Sequence, residues 1–264
     1  MTGSMARVWG LLVQEAYLTR RSLEIFFDII FFPLMNVILF GFISEFLGRG
    51  SVTNNSEFLL VGILLWEVVS INQYNVSVST LWSVWSHNLT NIFIAPVSIV
   101  EYMTAHLVAA VARTLIVLVV LAAGAQVVFH FNLASVGWLN LVLFVVNLTV
   151  FGWWIGIVLL GLIFRFGTRV QAISWGVIFL FQPLTASFFP VGVLPEVLQK
   201  LAWALPATYV FEAARAALTD PAVNWHAAGM AAALNLGYFV VAGVVFRRLF
   251  RRSRETGQFA RNDL

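Results

Sequence analysis

The sequence predicts an all-α integral membrane protein with six transmembrane helices, and composition and hydropathy carry that prediction. Hydrophobic residues make up 61% of the 264 residues and charged residues only 10%, against about 25% charged residues in soluble domains. Six stretches are each apolar over the roughly 20 residues that a helix needs to cross a bilayer. No soluble domain or linker interrupts them, so residues 1–264 are expected to form a single transmembrane domain.

The first element is residues 5–22, which predict an amphipathic helix lying along the membrane interface. Polar side chains recur at seven-residue spacing at Arg7, Gln14 and Arg21, and this spacing places them on one face of a helix. Another face carries the apolar residues Val8, Trp9, Leu12 and Ala16. A helix with two such faces binds a membrane surface; the alternative interpretation is a merely solvated leader.

The six spans are predicted at 24–46, 58–81, 102–128, 136–163, 170–189 and 226–246. An even number of spans leaves both termini on one side of the membrane, and cytoplasmic segments carry the excess of Lys and Arg. Eleven basic residues lie on the side of the termini: Arg7, Arg20, Arg21, Arg165, Arg169, Arg247, Arg248, Arg251, Arg252, Arg254 and Arg261. Three lie on the other side: Arg49, Lys200 and Arg215. Both termini, including the basic tail 247–264, are therefore predicted to be cytoplasmic.

The cytoplasmic connection 82–100 has a helical pattern of its own. It is nearly uncharged, and Pro96 punctuates it. Leu89, Ile92, Phe93 and Pro96 fit a short helix with one apolar face.

The outer connection 190–225 holds two further helical patterns, at 195–205 and 207–219, which Pro206 separates. Each piece is too short to cross a bilayer, and charged residues interrupt both. A re-entrant helical hairpin in the outer leaflet fits better than a seventh span, because half-helices can lie at membrane depth when protein covers them.

These elements, in this order, resemble the permease subunits of type-2 ABC exporters over nearly the whole chain. Residues 89–96, Leu-Thr-Asn-Ile-Phe-Ile-Ala-Pro, look like the family's apolar stretch that ends in Ala-Pro just after the coupling helix. The outer hairpin looks like the family's leucine-proline, proline, tyrosine and arginine signature, with these residues: Pro195, Pro206, Tyr209, Glu212 and Arg215.

The resemblance implies a mechanism in which two permeases pair, here as a homodimer, above two cytoplasmic ABC ATPase subunits. ATP and Mg²⁺ then belong to the partner ATPase, and this chain binds no cofactor. The resemblance assigns ATPase coupling to the 82–100 segment and the end of the N-terminal helix: Trp85, Ser86, His87, Asn88, Leu89, Pro96, Arg20 and Arg21. Family members often carry Glu and Arg at the start of this loop. The loop is neutral here, so docking would use aromatic packing and neutral hydrogen bonds.

The resemblance also implies a location and a cargo. It places the chain in the bacterial plasma (inner) membrane, in contact with lipid, as a multi-pass export subunit. The substrates of the family are amphipathic and include lipid-linked glycans, lipo-oligosaccharides and drugs.

Polar residues inside the spans predict a substrate path. A charge at the bilayer centre costs about 2.5–3.5 kcal/mol on insertion scales, so Glu67 and Arg113 are informative. Each lies roughly 15–18 Å into its span, and the two are predicted to form an intramembrane ion pair. Such a pair would either hold two helices together or act in substrate binding or gating; the remaining alternative is that the two residues do not meet. The candidate path residues are Asp28, Asn36, Glu67, Tyr74, Asn75 and Asn147. They line a wet cavity or form interhelical hydrogen bonds.

The sequence argues against several other functions. Lys200 is the only lysine and has no glycine-rich turn before it, so this chain lacks a Walker-type phosphate-binding loop. Cysteine is absent, as are the His-Glu-x-x-His and Gly-x-Ser-x-Gly patterns. The net charge of +3 comes from membrane-edge residues and does not indicate nucleic acid. Two alternatives are an ion-coupled secondary transporter, with Glu67, Arg113 and Asp28 as a relay, and a membrane-embedded enzyme.

Overall fold

The computed structural model describes residues 2–48, 55–86, 92 and 94–257, and within these ranges the chain is built almost entirely of helices. Its helices are numbered in chain order as α1 (Thr2–Arg21), α2 (Leu23–Phe26), α3 (Phe32–Gly48), α4 (Asn55–Trp85), α5 (Ile99–Phe129), α6 (Trp138–Phe166), α7 (Gln171–Leu184), α8 (Glu196–Trp203), α9 (Pro206–Ala217) and α10 (Trp225–Glu255).

Five segments of the described chain are long and apolar enough to cross a membrane: Leu23–Phe46, Glu57–Trp85, Ile99–Phe129, Trp138–Leu184 and Trp225–Glu255. The sequence predicted six spans. The difference arises because the fourth of these segments covers most of two stretches that were predicted separately, 136–163 and 170–189.

This fourth segment is 47 residues long, or about 70 Å of helix at 1.5 Å per residue. A bilayer core is about 30 Å thick. A 3₁₀ turn at Gly167–Val170 interrupts the segment between α6 and α7. Gly167 has a φ of +64°, a conformation that glycine adopts without the steric cost that other residues incur.

A π-helical turn, Phe27–Phe31, joins α2 to α3. Pro33 gives a physical reason for it. Proline has no N–H to donate to the Ile29 carbonyl one turn earlier, and its ring crowds that carbonyl. The backbone between α2 and α3 therefore cannot continue as a regular α-helix, and Asp28 lies within the widened turn.

The central helix is α4, with 83% of its most apolar stretch buried and with α3, α5, α6, α7 and α9 packed around it. The approach of α6 is especially close at Gly152 and Gly156. A Cβ at Gly156 would lie 2.6 Å from Val76 Cβ, and one at Gly152 would lie 2.8 Å from Asn72 Cβ. Small residues four apart are a common means of bringing membrane helices together.

The two short helices predicted in 190–225 are confirmed as α8 and α9, with Pro206 at the first position of α9. Proline suits that position because the amide that it lacks would have no partner within the helix. α9 packs against α4, α6 and α10 and buries Ala207, Val210 and Phe211.

The last helix, α10, continues through Glu255, well beyond the predicted span 226–246 and into the segment predicted as a basic tail. Phe246 and Phe250, which flank Arg247 and Arg248, contact Phe164 of α6. The Ser253 hydroxyl donates a hydrogen bond to the Phe164 carbonyl. The first part of the tail is thus a helical extension docked on the end of α6.

Candidate functional site

A cleft of about 350 Å³ lies among α3, α4 and α7, and we call it the polar cleft. Its lining combines carboxylate, amide and hydroxyl groups with aromatic rings: Asp28, Phe32, Pro33, Asn36, Trp66, Glu67, Ser70, Gln73, Tyr74, Val78, Ser174, Trp175, Ile178, Phe179 and Gln182. The structure therefore brings together four of the six residues predicted for a substrate path, Asp28, Asn36, Glu67 and Tyr74. Phe32, Asn36, Trp175 and Phe179 are exposed at the mouth of the cleft.

A hydrogen-bonded chain holds Asp28 at one end of the polar cleft. The Tyr74 hydroxyl donates to Asp28 Oδ2 at 2.7 Å, and the Trp82 indole N–H donates to the Tyr74 oxygen at 3.1 Å. Asp28 lies in the π-helical turn, a distortion that is rare in proteins and frequent at functional sites. The turn and the tyrosine together fix where this carboxylate points.

Glu67 lies at the other end of the polar cleft and is only 4% exposed. Asn36 Nδ2 donates to its Oε1 at 3.3 Å. Asp28 meets Tyr74 while Asn36 meets Glu67, so the first segment and α4 run antiparallel. The two contacts are eight residues apart on the segment Leu23–Phe46 and seven residues apart on α4. This spacing places the two carboxylates about 11 Å apart along the helix axes.

The predicted pair of Glu67 and Arg113 is wrong. Arg113 Nη2 lies 2.9 Å from Glu15 Oε2, and the guanidinium also donates to the side chains of Asn75 and Thr19. Asn75 is eight residues from Glu67, about 12 Å along α4. The depth estimate failed because α4 and α5 are each 31 residues long, about 46 Å. Helices that overhang the bilayer do not reach equal depths at equal counts from their ends.

The α1 helix packs lengthwise along α5, and its predicted place at the membrane interface stays a prediction. Arg7 Nη2 is 2.7 Å from Glu101 Oε1, and Thr19 meets Arg113. Twelve residues separate the two contact positions on each helix, so the two axes are parallel over that distance. The hydrogen bond that the Arg7 guanidinium donates to Glu101 raises the pKa of Arg7.

Glu15 is the residue at this site that sequence reasoning missed. It lies between His106, at 3.8 Å, and Arg113, and its side chain is only 13% exposed. The available signal was the unexplained charge of Arg113 within a span, which required an acidic partner.

The polar face of α4 divides into two parts. Gln73 and Tyr74 line the polar cleft. Asn72 instead forms hydrogen bonds between helices: its amide donates to Thr114 on α5 at 2.9 Å, and its Oδ1 accepts from the Trp153 indole on α6 at 3.0 Å. The cavity interpretation therefore applies to Gln73 and Tyr74, and the interpretation as interhelical hydrogen bonding applies to Asn72.

Asn75 and Asn147 do not line the polar cleft, so the structure does not bring them together with the other four residues predicted for a substrate path. Asn75 is fully buried and accepts from Arg113. Asn147 accepts from Asn235 Nδ2 on α10, through its carbonyl at 2.9 Å and its Oδ1 at 3.2 Å. It faces a separate groove between α6 and α10.

The predicted outer residues form a clamp on the chain after α7. Arg215 Nη1 donates to the carbonyl oxygens of Ala186, at 3.0 Å, and Ser187, at 3.4 Å, while its Nη2 contacts Glu212 Oε1 at 2.9 Å. The same Glu212 oxygen accepts from the Val191 amide at 2.7 Å. Burial lowers the pKa of Arg215, but an arginine remains protonated in proteins.

The other residues of the predicted outer hairpin lie against α8 or directly before it. Tyr209 packs edge-on against Trp203, with ring centroids 4.9 Å apart. Pro195 precedes the first turn of α8.

The described residues assigned to ATPase coupling lie at the C-terminal end of α4, in the chain before α5 and on α1. Trp85 packs edge-on against Trp82 at 4.8 Å between centroids, and Ser86 and Pro96 are exposed. Arg20 and Arg21 are exposed at the end of α1. His87, Asn88 and Leu89 lie outside the described residues.

Comparison with known proteins gives one family match. The model of a family described as "ABC-2 type transporter" matches residues 7–219, which includes α1 from Arg7 onwards, α2 through α9 and every residue that lines the polar cleft. No curated protein matches the chain.

Proposed function

The chain belongs to the ABC-2 type transporter family and is the transmembrane subunit of an ABC transporter; on that premise we propose that it exports an amphipathic substrate, using ATP hydrolysed by separate ATPase subunits. The polar cleft is the observation that carries this proposal. It joins buried carboxylate and amide groups with aromatic rings among helices that are long enough to cross a membrane. Concave sites with apolar walls and a few converging polar groups are the usual form of ligand pockets.

We infer that α6 and α7 cross the membrane in opposite directions, which makes six crossings. The length of Trp138–Leu184 and the turn at Gly167 support this inference. Six crossings place both termini on the same side of the membrane, and the excess of basic residues assigns that side to the cytoplasm. The proposed membrane is the bacterial plasma membrane, with α8 and α9 as a re-entrant hairpin on its outer side.

The proposed assembly contains two copies of the chain and two ATPases. Exposed rings flank the polar cleft on the first segment and on α7, among them Phe32 at 54% exposed and Phe179 at 66%. A second copy that covers this face would enclose the cleft and complete a path across the membrane. The ATPases would dock at the cytoplasmic end of α4, against Trp85, Ser86 and the loop through Pro96.

The test combines the purified chain with an ABC ATPase encoded in the same genome. The chain alone is expected to hydrolyse no ATP, and the two proteins are expected to copurify with ATPase activity altered by the chain. Replacing Asn88→Asp puts an uncompensated charge in the proposed contact, which costs several kcal/mol if it is buried unpaired, so coupling should fall. The control is Asn132→Asp, the same change at an exposed residue outside this contact.

Transport in vesicles decides between this proposal and the ion-coupled alternative. Transport that needs ATP and the ATPase supports export by an ABC transporter. Transport driven by a proton gradient without ATP would favour the secondary transporter. The secondary-transporter alternative used Glu67, Arg113 and Asp28 as a relay. Arg113 pairs with Glu15 instead of Glu67, so the structure does not support that relay.

A further inference from the structure

We propose that the polar cleft selects amphipathic organic cations, an inference that rests on the proposed function and names the substrate class of that site. It begins from the charge of the lining. Among the described residues that line the cleft, two are carboxylates, Asp28 and Glu67, and none is Lys, Arg or His. A ligand in the cleft therefore meets two acidic groups and no basic one.

Each carboxylate also has unused capacity to accept hydrogen bonds. An ionised carboxylate offers about four acceptor positions. Asp28 receives one donor from Tyr74 and Glu67 one from Asn36, and each of these donors is a neutral group. Arg113, the nearby intramembrane cation, is bound to Glu15. Among the described residues neither acid has a positive partner, although Glu67 is buried and buried charges are normally paired.

The walls of the cleft suit the rest of such a ligand. Trp66 and Trp175 present indole rings, and Tyr74 packs edge-on against Trp175 at 5.6 Å between centroids. Aromatic faces attract cations within about 6 Å and stabilise them most where water is excluded. The exposed mouth of the cleft carries the apolar rings of Phe32 and Phe179, so an apolar body can enter beside a charged group.

The same arrangement disfavours an anionic amphiphile. A lipid that carries phosphate would meet two carboxylates without a compensating base, and like charges at close range repel strongly in a low dielectric. The charge of the lining therefore favours organic cations over lipids that carry phosphate.

The experiment uses two probes of matched shape, tetraphenylphosphonium and tetraphenylborate, which differ in the sign of their charge. Each is titrated separately into the purified full-length chain in neutral detergent. Binding is measured by equilibrium dialysis and by the shift in melting temperature, because a ligand that binds the folded state raises it. The cation is expected to bind at least about tenfold more tightly than the anion.

Isosteric variants locate the site. Asp28→Asn and Glu67→Gln each remove one charge and should weaken binding of tetraphenylphosphonium about tenfold. The matched controls are Asp220→Asn and Glu57→Gln, which remove the same charges at exposed positions outside the cleft, and these should bind as the unaltered chain does. In a further variant, Gln182→Lys adds a positive charge to the cleft without altering either carboxylate. It should weaken the cation and strengthen the anion.

The proposal is overturned if the unaltered chain binds both ions equally or binds neither. It is also overturned if the two neutralised variants, eluting and melting as folded protein, retain full cation binding. None of these assays contains an ATPase, so such a failure would leave ATP-driven export standing. Conversely, selective cation binding by a chain that couples to no ATPase would reject the export proposal alone.

Discussion

Arg113 on α5 and Glu15 on α1 form an ion pair that joins the N-terminal helix to a membrane span, with 2.9 Å between Nη2 and Oε2. Their side chains are 10% and 13% exposed. Thr19 and Asn75 bind the same guanidinium, so three helices meet at this arginine.

Removing either partner should destabilise the protein more than removing both. Glu15→Gln or Arg113→Gln leaves a buried charge without its counterion, which costs about 3 kcal/mol. The double variant should recover part of this loss, with a coupling free energy of about 1–3 kcal/mol. The measurement is unfolding in detergent for the two single variants and the double. The control cycle pairs Arg113→Gln with Glu67→Gln, and there the effects should add; additivity in the first cycle would refute the pair.

A side chain at Gly156 should separate α6 from α4. In Gly156→Ala the new methyl would lie 2.6 Å from Val76 Cβ, and overpacking of this kind costs about 1–3 kcal/mol. The melting temperature in detergent should fall. Gly176→Ala on α7 is the matched control, because no atom lies within 4 Å of its Cβ position. Equal melting temperatures for the two variants would contradict the close contact.

The Arg215 clamp should limit the opening of the chain that follows α7. Arg215→Gln removes the donors to the Ala186 and Ser187 carbonyls and leaves Glu212 without its cation, at a cost of about 1–3 kcal/mol. Hydrogen exchange at residues 185–191 should become faster. The exposed pair Arg251–Glu255 supplies the comparison, since surface ion pairs contribute about 0–1 kcal/mol. Arg251→Gln should leave exchange in this segment unchanged, and the clamp is rejected if Arg215→Gln does so as well.

Labelling of single cysteines tests the proposed orientation, and the absence of native cysteine makes the background clean. Thr219 follows α9 and Ser86 follows α4, and both are exposed. Thr219→Cys should react with a membrane-impermeant maleimide in intact cells, whereas Ser86→Cys should react only after the membrane is opened. The reverse pattern would invert the orientation, and a reaction at both positions in intact cells would remove a crossing from between them.

The sequence predicted the helices and the composition of the cleft better than it predicted their contacts. Asp28, Asn36, Glu67 and Tyr74 could be grouped because lipid tolerates none of them well, which is a property of each residue alone. Asn147 was grouped with these residues, but it bonds Asn235 on α10 instead. The rotation of α6 decides which of the two it faces, and the packing of Gly152 and Gly156 on α4 sets that rotation. Such contacts between distant segments leave no local pattern.

The pairing of Glu67 with Arg113 failed for a related reason. Residue counts within a span measure distance along that helix, not height in the bilayer, and the two differ when helices overhang. The true partner of Arg113 is nearly a hundred positions away, on a helix whose composition indicated a membrane surface. An intramembrane arginine calls for an acidic neighbour, but periodicity does not say which element supplies it.

The parallel contact of α1 with α5 has a mechanical consequence. Two helices fastened side by side at Arg7–Glu101 and again at Thr19–Arg113, about 18 Å apart along their axes, resist bending far better than one helix held at a single point. A force applied at the exposed end of α1, where Arg20 and Arg21 lie, would move the stretch of α5 from Glu101 to Arg113, because the two helices are joined at both ends of it. Because Asn75 shares the Arg113 guanidinium, the same force reaches α4 and the wall of the polar cleft.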